Sequence, residues 1–204
     1  MTIAGLVLAG GGSRRMGRDK AFVPLAGRPM LAHVLGRIGP QVGALAVNAN
    51  GDPARFAPFG LPVIADDTPD TGPLGGVAAG LAWAATLDER PRLLVTVPVD
   101  GPLLPADLVA QLMEASDSSD RVVIAASGER DHPVFALWPL ALAERLALWR
   151  QSARSQGVRG FLASTGFAVA SWRVASDGFD PFFNANTPED LARVAAWLAA
   201  GRGL

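Results

Sequence analysis

Residues 3–20 read IAGLVLAGGGSRRMGRDK, a short apolar run that leads directly into a loop rich in glycine and arginine. The apolar part, Ile3–Ala9, has the length and composition of a buried β-strand. Glycines in the loop let backbone N–H groups approach a phosphate closely, and Arg14, Arg15 and Lys20 add positive charge. Because ligands of open α/β sheets bind at the carboxyl ends of the strands, this stretch predicts a phosphate-binding site.

The loop matches neither of the two common glycine motifs for nucleotides. It lacks the G-x-x-x-x-G-K-[ST] pattern of a P-loop, and Arg15 stands where the third glycine of G-x-G-x-x-G belongs. The alternative interpretation is a glycine-rich surface turn with solvated arginines. The coincidence of a strand, glycines and cations at one strand end favours the phosphate site.

The rest of the chain alternates short apolar runs with amphipathic segments, which is typical of βαβ units around a mainly parallel sheet. Further strands are predicted at 44–48, 61–65, 92–98, 122–126, 134–137 and 167–171. Helices are predicted at 30–38, 75–87, 105–115, 139–151, 158–164 and 188–200. Pro29 is predicted at the first position of the first helix. We therefore expect an α/β fold in one domain, 1–204, with a nucleotide-binding half over 1–105 and an appended half over 106–204.

Composition restricts the chemistry that the chain can perform. It has no cysteine and two histidines, His33 and His132, which excludes thiolate catalysis and argues against a zinc centre. A catalytic metal would be a hard, oxygen-liganded ion such as Mg²⁺. The net charge of −1 argues against nucleic acid and membrane surfaces as partners. The sequence shows no signal peptide or membrane span, so we expect a cytoplasmic protein.

A carboxylate closes the strongest predicted strand, in the segment VPVDGP at residues 97–102. Mg²⁺ is usually held through one or two carboxylates plus substrate phosphates, so Asp100 is the candidate metal ligand. The alternative is an aspartate that only begins an Asp-Gly-Pro turn. The presence of the glycine-rich loop in the same chain favours the metal site.

Two aspartates, Asp66 and Asp67, follow the third predicted strand, and the glycine-rich segment GPLGG follows at 72–76. Either aspartate is a candidate contact for a nucleobase or ribose. A solvated acidic loop with helix capping is the alternative. Gly76 and its neighbours permit the close approach of another chain or of a ligand.

The segment GERDHP, residues 128–133, carries a second group of polar side chains. Arg130 is a candidate phosphate contact, and His132 is a candidate for orienting a substrate or accepting a proton. The alternative is a polar hairpin turn. His33 lies within a predicted helix and is interpreted as structural.

The segment FFNANTPEDL, residues 182–191, combines a helix start with two asparagines. Thr187 and Asp190 predict a capping box at the start of the last helix. An extended backbone before it would place Asn184 and Asn186 on one side. The cap explains the helix start without any function, whereas the paired asparagines predict a site.

Together these motifs resemble the molybdenum cofactor guanylyltransferase family, the molybdopterin-guanine dinucleotide synthases of the MobA type. The matching stretches run through nearly the whole chain in family order: LAGGGSRRMGRDK (8–20), GPLGG (72–76), PVDGP (98–102), GERDHP (128–133) and FFNANTPEDL (182–191). The resemblance implies a Rossmann-like three-layer sandwich of the nucleotide-diphospho-sugar-transferase type. It implies Mg²⁺-dependent transfer of GMP from GTP to molybdenum-loaded molybdopterin, with other cofactor-biosynthesis proteins and apo-molybdoenzymes as candidate partners.

The resemblance also implies roles for individual residues. The implied GTP contacts are Leu8, Ala9, Gly10, Gly11, Lys20, Asn48, Asp66 and Asp100. Asp100 is in addition the implied Mg²⁺ ligand, and it forms the catalytic set with Arg15 and Lys20. The implied acceptor-binding residues are Gly76, Arg130, Asp131, His132, Asn184 and Asn186.

Two other functions are weighed against this one. The first is a related nucleotidyltransferase that uses CTP, UTP or a sugar phosphate. Such relatives tend to carry LAAG in the first loop, whereas this chain has LAGG at 8–11. The second is a non-catalytic GTP-binding or cofactor-carrier module, against which Lys20 and Asp100 argue.

Overall fold

The computed structural model describes residues 2–10, 19–68, 72–117, 120–152, 157–174 and 179–201. The strands in these ranges are β1 (Ile3–Leu8), β2 (Pro24–Leu25), β3 (Arg28–Pro29), β4 (Ala44–Asn48), β5 (Val63–Ile64), β6 (Leu93–Pro98), β7 (Val122–Ser127), β8 (Arg130–Pro139) and β9 (Phe167–Trp172). The α-helices are α1 (Met30–Ile38), α2 (Pro73–Ala84), α3 (Leu108–Glu114), α4 (Ala143–Ser152), α5 (Val158–Thr165) and α6 (Pro188–Ala199). Within the same ranges, no helix combines the length and apolarity that a membrane crossing requires.

Seven strands form one sheet in the order β5–β4–β1–β6–β8–β7–β9. β1 pairs parallel with β4 and β6, and β5 and β9 pair parallel at the two edges. β8 pairs antiparallel with β6 and with β7. The prediction of a mainly parallel sheet is therefore confirmed, and strands from both predicted halves of the chain contribute to it. The assignment of separate binding roles to the halves stays a prediction.

Side chains of β1 alternate between two cores because successive residues of a strand point to opposite faces of the sheet. Val7 is fully buried in the core that includes α1 and α3, whereas Leu6 and Leu8 pack in the core that includes α2, α4 and α5. Helices thus cover both faces of the sheet, which confirms the three-layer α/β architecture. A smaller cluster joins α6 to the β2–β3 hairpin through Leu25 and Val194.

The first helix spans the predicted range, 30–38, but the predicted position of Pro29 within it is wrong. Pro29 is not its first helical residue: its φ of −56° and ψ of 142° are extended, and it serves as the N-cap. The reason is the β2–β3 hairpin, in which Pro29 pairs with Pro24. Two-residue strands are too short to show a period in the sequence, so this hairpin was not predicted.

Candidate active site

The carboxyl ends of β1, β4 and β6 lie side by side because the three strands are parallel neighbours. The amide of Ala9 donates to the carbonyl of Asn48 at 2.8 Å, and the amide of Val99 donates to the carbonyl of Leu8 at 3.0 Å. A pocket of about 440 Å³ opens at this edge. Its lining consists of Leu8, Ala9, Gly10, Lys20, Pro73, Pro98, Val99, Asp100, Arg130, Asp131, His132, Pro133, Val134, Phe135, Arg159 and Asn184.

A cation and a carboxylate meet in this pocket. Lys20 Nζ donates to Asp100 Oδ2 at 2.8 Å and to Asn186 Oδ1 at 2.6 Å. The side chains of Lys20 and Asp100 are 20% and 18% exposed, so both remain accessible to a ligand. Three segments that are distant in sequence therefore supply one charged cluster at the end of β6.

The asparagine segment is held against this cluster by its backbone. The amide of Ala185 donates to the carbonyl of Asp100 at 2.8 Å. The predicted capping box is confirmed: Thr187 Oγ1 accepts from the amide of Asp190, and the Asp190 carboxylate accepts from the amide of Thr187. Asn184 lines the pocket, and its Oδ1 is buried without a hydrogen-bond partner among the residues that the structure describes. A ligand that donates a hydrogen bond would satisfy this oxygen.

A second polar network lies beside the pocket at the end of β4. Asn48 is 2% exposed, and its Nδ2 donates to Asp66 Oδ1 at 2.7 Å and to the carbonyl of Ile64 at 2.9 Å. Asn50 Nδ2 donates to the other Asp66 oxygen at 3.0 Å, and Asn50 Oδ1 accepts from the Asp66 amide at 2.9 Å. Asp66 is thus fixed against the strand end that Asn48 closes.

The neighbouring Asp67 has a different environment. Its carboxylate binds both terminal nitrogens of Arg150 on α4, at 2.7 and 3.0 Å, and its side chain is 64% exposed. The hydrogen bond from Arg150 lowers the pKa of Asp67 below its ordinary value. Because the partner of Asp67 is a helix outside the pocket, Asp66 is the better candidate for the nucleotide contact.

Gly76 lies against the buried amide of Asn48. A Cβ at this position would lie 2.2 Å from Asn48 Oδ1 and 2.7 Å from Leu8 Cδ2, so only glycine fits without displacing them. Gly76, on α2, therefore packs against the ends of β1 and β4 and is not part of the pocket lining, and its predicted role in acceptor binding stays a prediction.

His132 lies in the wall of the pocket with its side chain 4% exposed. Its Nε2 is 2.7 Å from Ser127 Oγ, which in turn donates to Asp180 Oδ1 at 2.8 Å. Burial lowers the pKa of His132 below its ordinary value, although the Asp180 charge acts in the opposite direction. The imidazole is therefore neutral near pH 7.

The sequence of this chain is similar to those of known proteins. The model of the MobA-like NTP transferase domain matches residues 5–169. Molybdenum cofactor guanylyltransferase of Cereibacter sphaeroides is 48% identical over 97% of this chain and 98% of its own length. The protein of the same name from Bradyrhizobium sp. (strain ORS 278) is 48% identical over 97% of this chain and 93% of its own length. This chain belongs to the molybdenum cofactor guanylyltransferase family.

The fold of this family member agrees with that of a solved structure. The crystal structure of molybdopterin-guanine dinucleotide biosynthesis protein A from Archaeoglobus fulgidus matches it with a TM-score of 0.75. The match covers 97% of this chain and 99% of that chain at 21% sequence identity. The shared architecture confirms the predicted fold class.

The carboxylate of Asp100 is a ligand type that suits a hard cation in this MobA-like site. The part of the chain that the structure describes has no group of three or more His, Cys, Asp or Glu side chains that could hold a metal ion by themselves. One carboxylate at a pocket edge, beside space for phosphate oxygens, is the arrangement that Mg²⁺ commonly uses. The residues present therefore fit Mg²⁺ held jointly by Asp100 and a nucleotide.

The predicted site residues of this family member fall into three groups. Those in the pocket lining are Leu8, Ala9, Gly10, Lys20, Asp100, Arg130, Asp131, His132 and Asn184. Those beside it are Asn48, Asp66 and Gly76, which pack at the end of β4, and Asn186, which contacts Lys20. Gly11 and Arg15 lie outside the described residues.

Sequence reasoning missed three polar residues of the site. Arg159 on α5 lines the pocket, and Ser127 and Asp180 lie behind His132. Asp180 stands two residues before the FFNANTPEDL motif, and Ser127 directly precedes GERDHP. For Ser127 and Asp180, the available signal was that each lies next to a motif. The hydrogen bond between them joins residues 53 positions apart, so no local pattern indicates it.

Proposed function

We propose that this chain transfers GMP from GTP to molybdopterin and releases pyrophosphate. The family membership supports this reaction, since the relatives at 48% identity carry the name molybdenum cofactor guanylyltransferase. The observation that carries the proposal is the Lys20–Asp100–Asn186 cluster in a pocket at the carboxyl ends of parallel strands. That is where nucleotides bind in open α/β sheets.

The reaction forms a bond between an oxygen of the molybdopterin phosphate and the α-phosphorus of GTP. The bond from the α-phosphorus to the oxygen that bridges to the β-phosphorus breaks, and pyrophosphate leaves with that oxygen. A phosphate monoester is ionised near neutral pH, so the nucleophile needs no strong general base. The neutral, buried His132 is consistent with this expectation.

Charge neutralisation is the main task of the protein in such a reaction. Two unit charges of the same sign repel each other by about 4 kcal/mol at ~4 Å and an effective dielectric constant near 20. Lys20, together with Arg15 and the loop amides, would hold the triphosphate and the departing pyrophosphate. Asp66 and Asn48 would contact the nucleoside, and Gly10 would let the backbone approach it.

We further propose that Mg²⁺ is the cofactor and that Asp100 holds it. When bound there, Mg²⁺ would supply positive charge that offsets the negative charge of the phosphates. The acceptor would occupy the opposite wall of the pocket, where Arg130, Asp131, His132 and Asn184 lie. Arg130 provides a positive charge for its phosphate.

Calorimetric titration with GTP, CTP, UTP and ATP, each with and without Mg²⁺, tests the nucleotide. Selective binding of GTP that strengthens with Mg²⁺ is the expected result. Selective binding of CTP would retain the phosphate chemistry and make the product a cytosine dinucleotide. An assay of pyrophosphate release with molybdopterin then tests turnover. GTP binding without pyrophosphate release would favour the non-catalytic carrier.

A further inference from the structure

A chain of hydrogen bonds runs behind the wall of the pocket, from His132 through Ser127 to Asp180. The turn at Gly128-Glu129 joins β7 to β8 and brings Ser127 next to His132. Ser127 Oγ lies 2.7 Å from His132 Nε2 and 2.8 Å from Asp180 Oδ1. Asp180 is itself fixed, because its Oδ1 also accepts from the amide of Phe182 at 2.8 Å.

The direction of these hydrogen bonds, from donor to acceptor, determines the tautomer of the imidazole. A serine hydroxyl has one hydrogen, and an ionised carboxylate only accepts hydrogen bonds. Ser127 therefore donates to Asp180, and its oxygen accepts from His132 Nε2–H. In the neutral imidazole, Nδ1 is then the unprotonated nitrogen. Among the described residues, Nδ1 has no hydrogen-bond partner.

The surroundings of His132 keep the ring neutral. Its centroid lies 4.8 Å from that of Phe182 and 6.3 Å from that of Phe135, so aromatic rings cover much of it. This burial is the largest influence on its pKa and lowers it. The charges of Asp180 and Asp131 raise the pKa, and the charge of Arg130 lowers it.

We propose that Ser127 and Asp180 are positioning residues that hold His132 as a hydrogen-bond acceptor, through Nδ1, for an N–H group on the ring of the acceptor substrate. A phosphate dianion has no proton to donate, so it cannot be the partner of an unprotonated Nδ1. The pterin ring has N–H donors, and the unsatisfied Oδ1 of Asn184 in the same pocket is a second acceptor for such a ring. This inference rests on the function proposed above.

The tautomer is measurable without any turnover. The chain has two histidines, so the His33→Asn variant leaves His132 as the only imidazole in a ¹H–¹⁵N NMR spectrum. We expect protonated Nε2 and unprotonated Nδ1 at pH 7.5, and a mixture of tautomers in Ser127→Ala. Ser127→Thr, which keeps the hydroxyl, is expected to retain the wild-type tautomer. A wild-type imidazolium, or a proton on Nδ1, would overturn the inference even if the protein is a guanylyltransferase.

Steady-state kinetics test the role toward the acceptor. Loss of one hydrogen bond to the substrate predicts a KM for molybdopterin that is about three- to tenfold higher in Ser127→Ala, with kcat and the KM for GTP within about twofold. Asp180→Ala provides the same test should Ser127→Ala fold poorly. A lowered kcat with an unchanged acceptor KM would contradict the inference. The KM for GTP is read separately, so failure of the guanylyltransferase reaction itself is distinguishable.

The pH dependence separates an N–H partner from a phosphate partner. Protonated His132 has no acceptor nitrogen, so the acceptor KM should rise as the pH falls through the pKa of His132. The His132→Asn variant, measured in parallel, is the control. It shows how far the acceptor KM changes with pH because of the substrate phosphate and of Asp131, Arg130 and Asp180. If acidification instead lowers the wild-type KM relative to that variant, the imidazolium binds an anion and the inference is wrong.

Discussion

Lys20 Nζ contacts Asp100 Oδ2 at 2.8 Å although 80 residues separate them in the chain. Lys20 follows the loop after β1, and Asp100 follows β6, so the parallel pairing of these two strands brings the residues together. In the structure each of the two side chains neutralises the charge of the other. Binding of nucleotide and Mg²⁺ would give the ammonium a phosphate and the carboxylate a cation. The pair thus keeps both charges in place at a partly desolvated site before the substrate arrives.

Replacing Asp100 by asparagine tests the metal assignment. The side chain keeps its size but loses its charge, so we expect kcat for pyrophosphate release to fall by about 10²–10³-fold. Asp88→Asn, an exposed position in the turn before β6, is the matched control and should leave kcat unchanged. Near-normal turnover of Asp100→Asn at saturating Mg²⁺ would remove Asp100 from the metal site.

Chemical modification tests Lys20, because it is the only lysine in the sequence. An amine-reactive acylating reagent should modify Lys20 and the N-terminal amine alone and should abolish GTP binding. Mg²⁺–GTP present during the reaction should protect Lys20, as mass spectrometry of the peptides would show. Lys20→Ala should lose affinity for GTP before any treatment. Full GTP binding by the acylated protein would place the triphosphate elsewhere.

Much of the fold could be predicted from the sequence because β1, β4, β6, β7 and β9 are mainly apolar runs of five or six residues. The predicted range of β4, 44–48, is the observed one, and β1, β6 and α5 differ from their predictions by one residue at one end. β8 was predicted over 134–137 but spans Arg130–Pro139. Its first three residues, Arg130–His132, are polar and lack a period of two, so they read as a turn.

Part of the site could be predicted, namely the residues that follow the ends of strands. Gly10, Lys20 and Asp100 follow strand ends, and the rule for parallel sheets places such residues at one edge. Ser127 and Asp180 act through a hydrogen bond that joins segments 53 residues apart, and no local pattern encodes that contact. The choice between Asp66 and Asp67 likewise depends on a tertiary contact, the ion pair with Arg150.

Substitution of Gly76 by alanine tests the close approach of α2 to Asn48. A Cβ would lie 2.2 Å from Asn48 Oδ1, so the amide must move and its bond to Asp66 should be lost. We expect a GTP affinity about tenfold or more lower, together with a destabilisation of about 1–3 kcal/mol. Gly36→Ala in α1 is the matched control, because nothing lies within 4 Å of its Cβ. It should stabilise the protein by about 0.5–1 kcal/mol and leave GTP binding intact. Equal effects of the two substitutions would contradict the steric argument.

Parallel substitutions of Asp66 and Asp67 test which aspartate contacts the nucleotide. Asp66→Ala removes the partner of Asn48 and Asn50, so we expect GTP affinity to fall about tenfold or more. Asp67→Ala removes an exposed ion pair with Arg150, which is worth about 0–1 kcal/mol of stability, and should change GTP affinity by less than about twofold. Calorimetry on both variants measures the difference. A larger loss of affinity in Asp67→Ala would reverse the assignment.

The titration of His132 should make the folded state less stable in acid. Its pKa is lowered in the folded protein from the ordinary value of 6.5, mainly by burial. Between the two pKa values the unfolded chain binds a proton that the folded chain does not, so stability falls as the pH drops below 6.5 and is fully retained above it. Urea unfolding at pH 7.5 and pH 5.5 measures this in the wild type and in His132→Asn. Carboxylates remote from His132 contribute equally to both proteins and cancel in the comparison, so the wild type should lose more stability on acidification. Identical losses would mean that the imidazole is not buried in its neutral form, which would also remove the basis for its role as an acceptor.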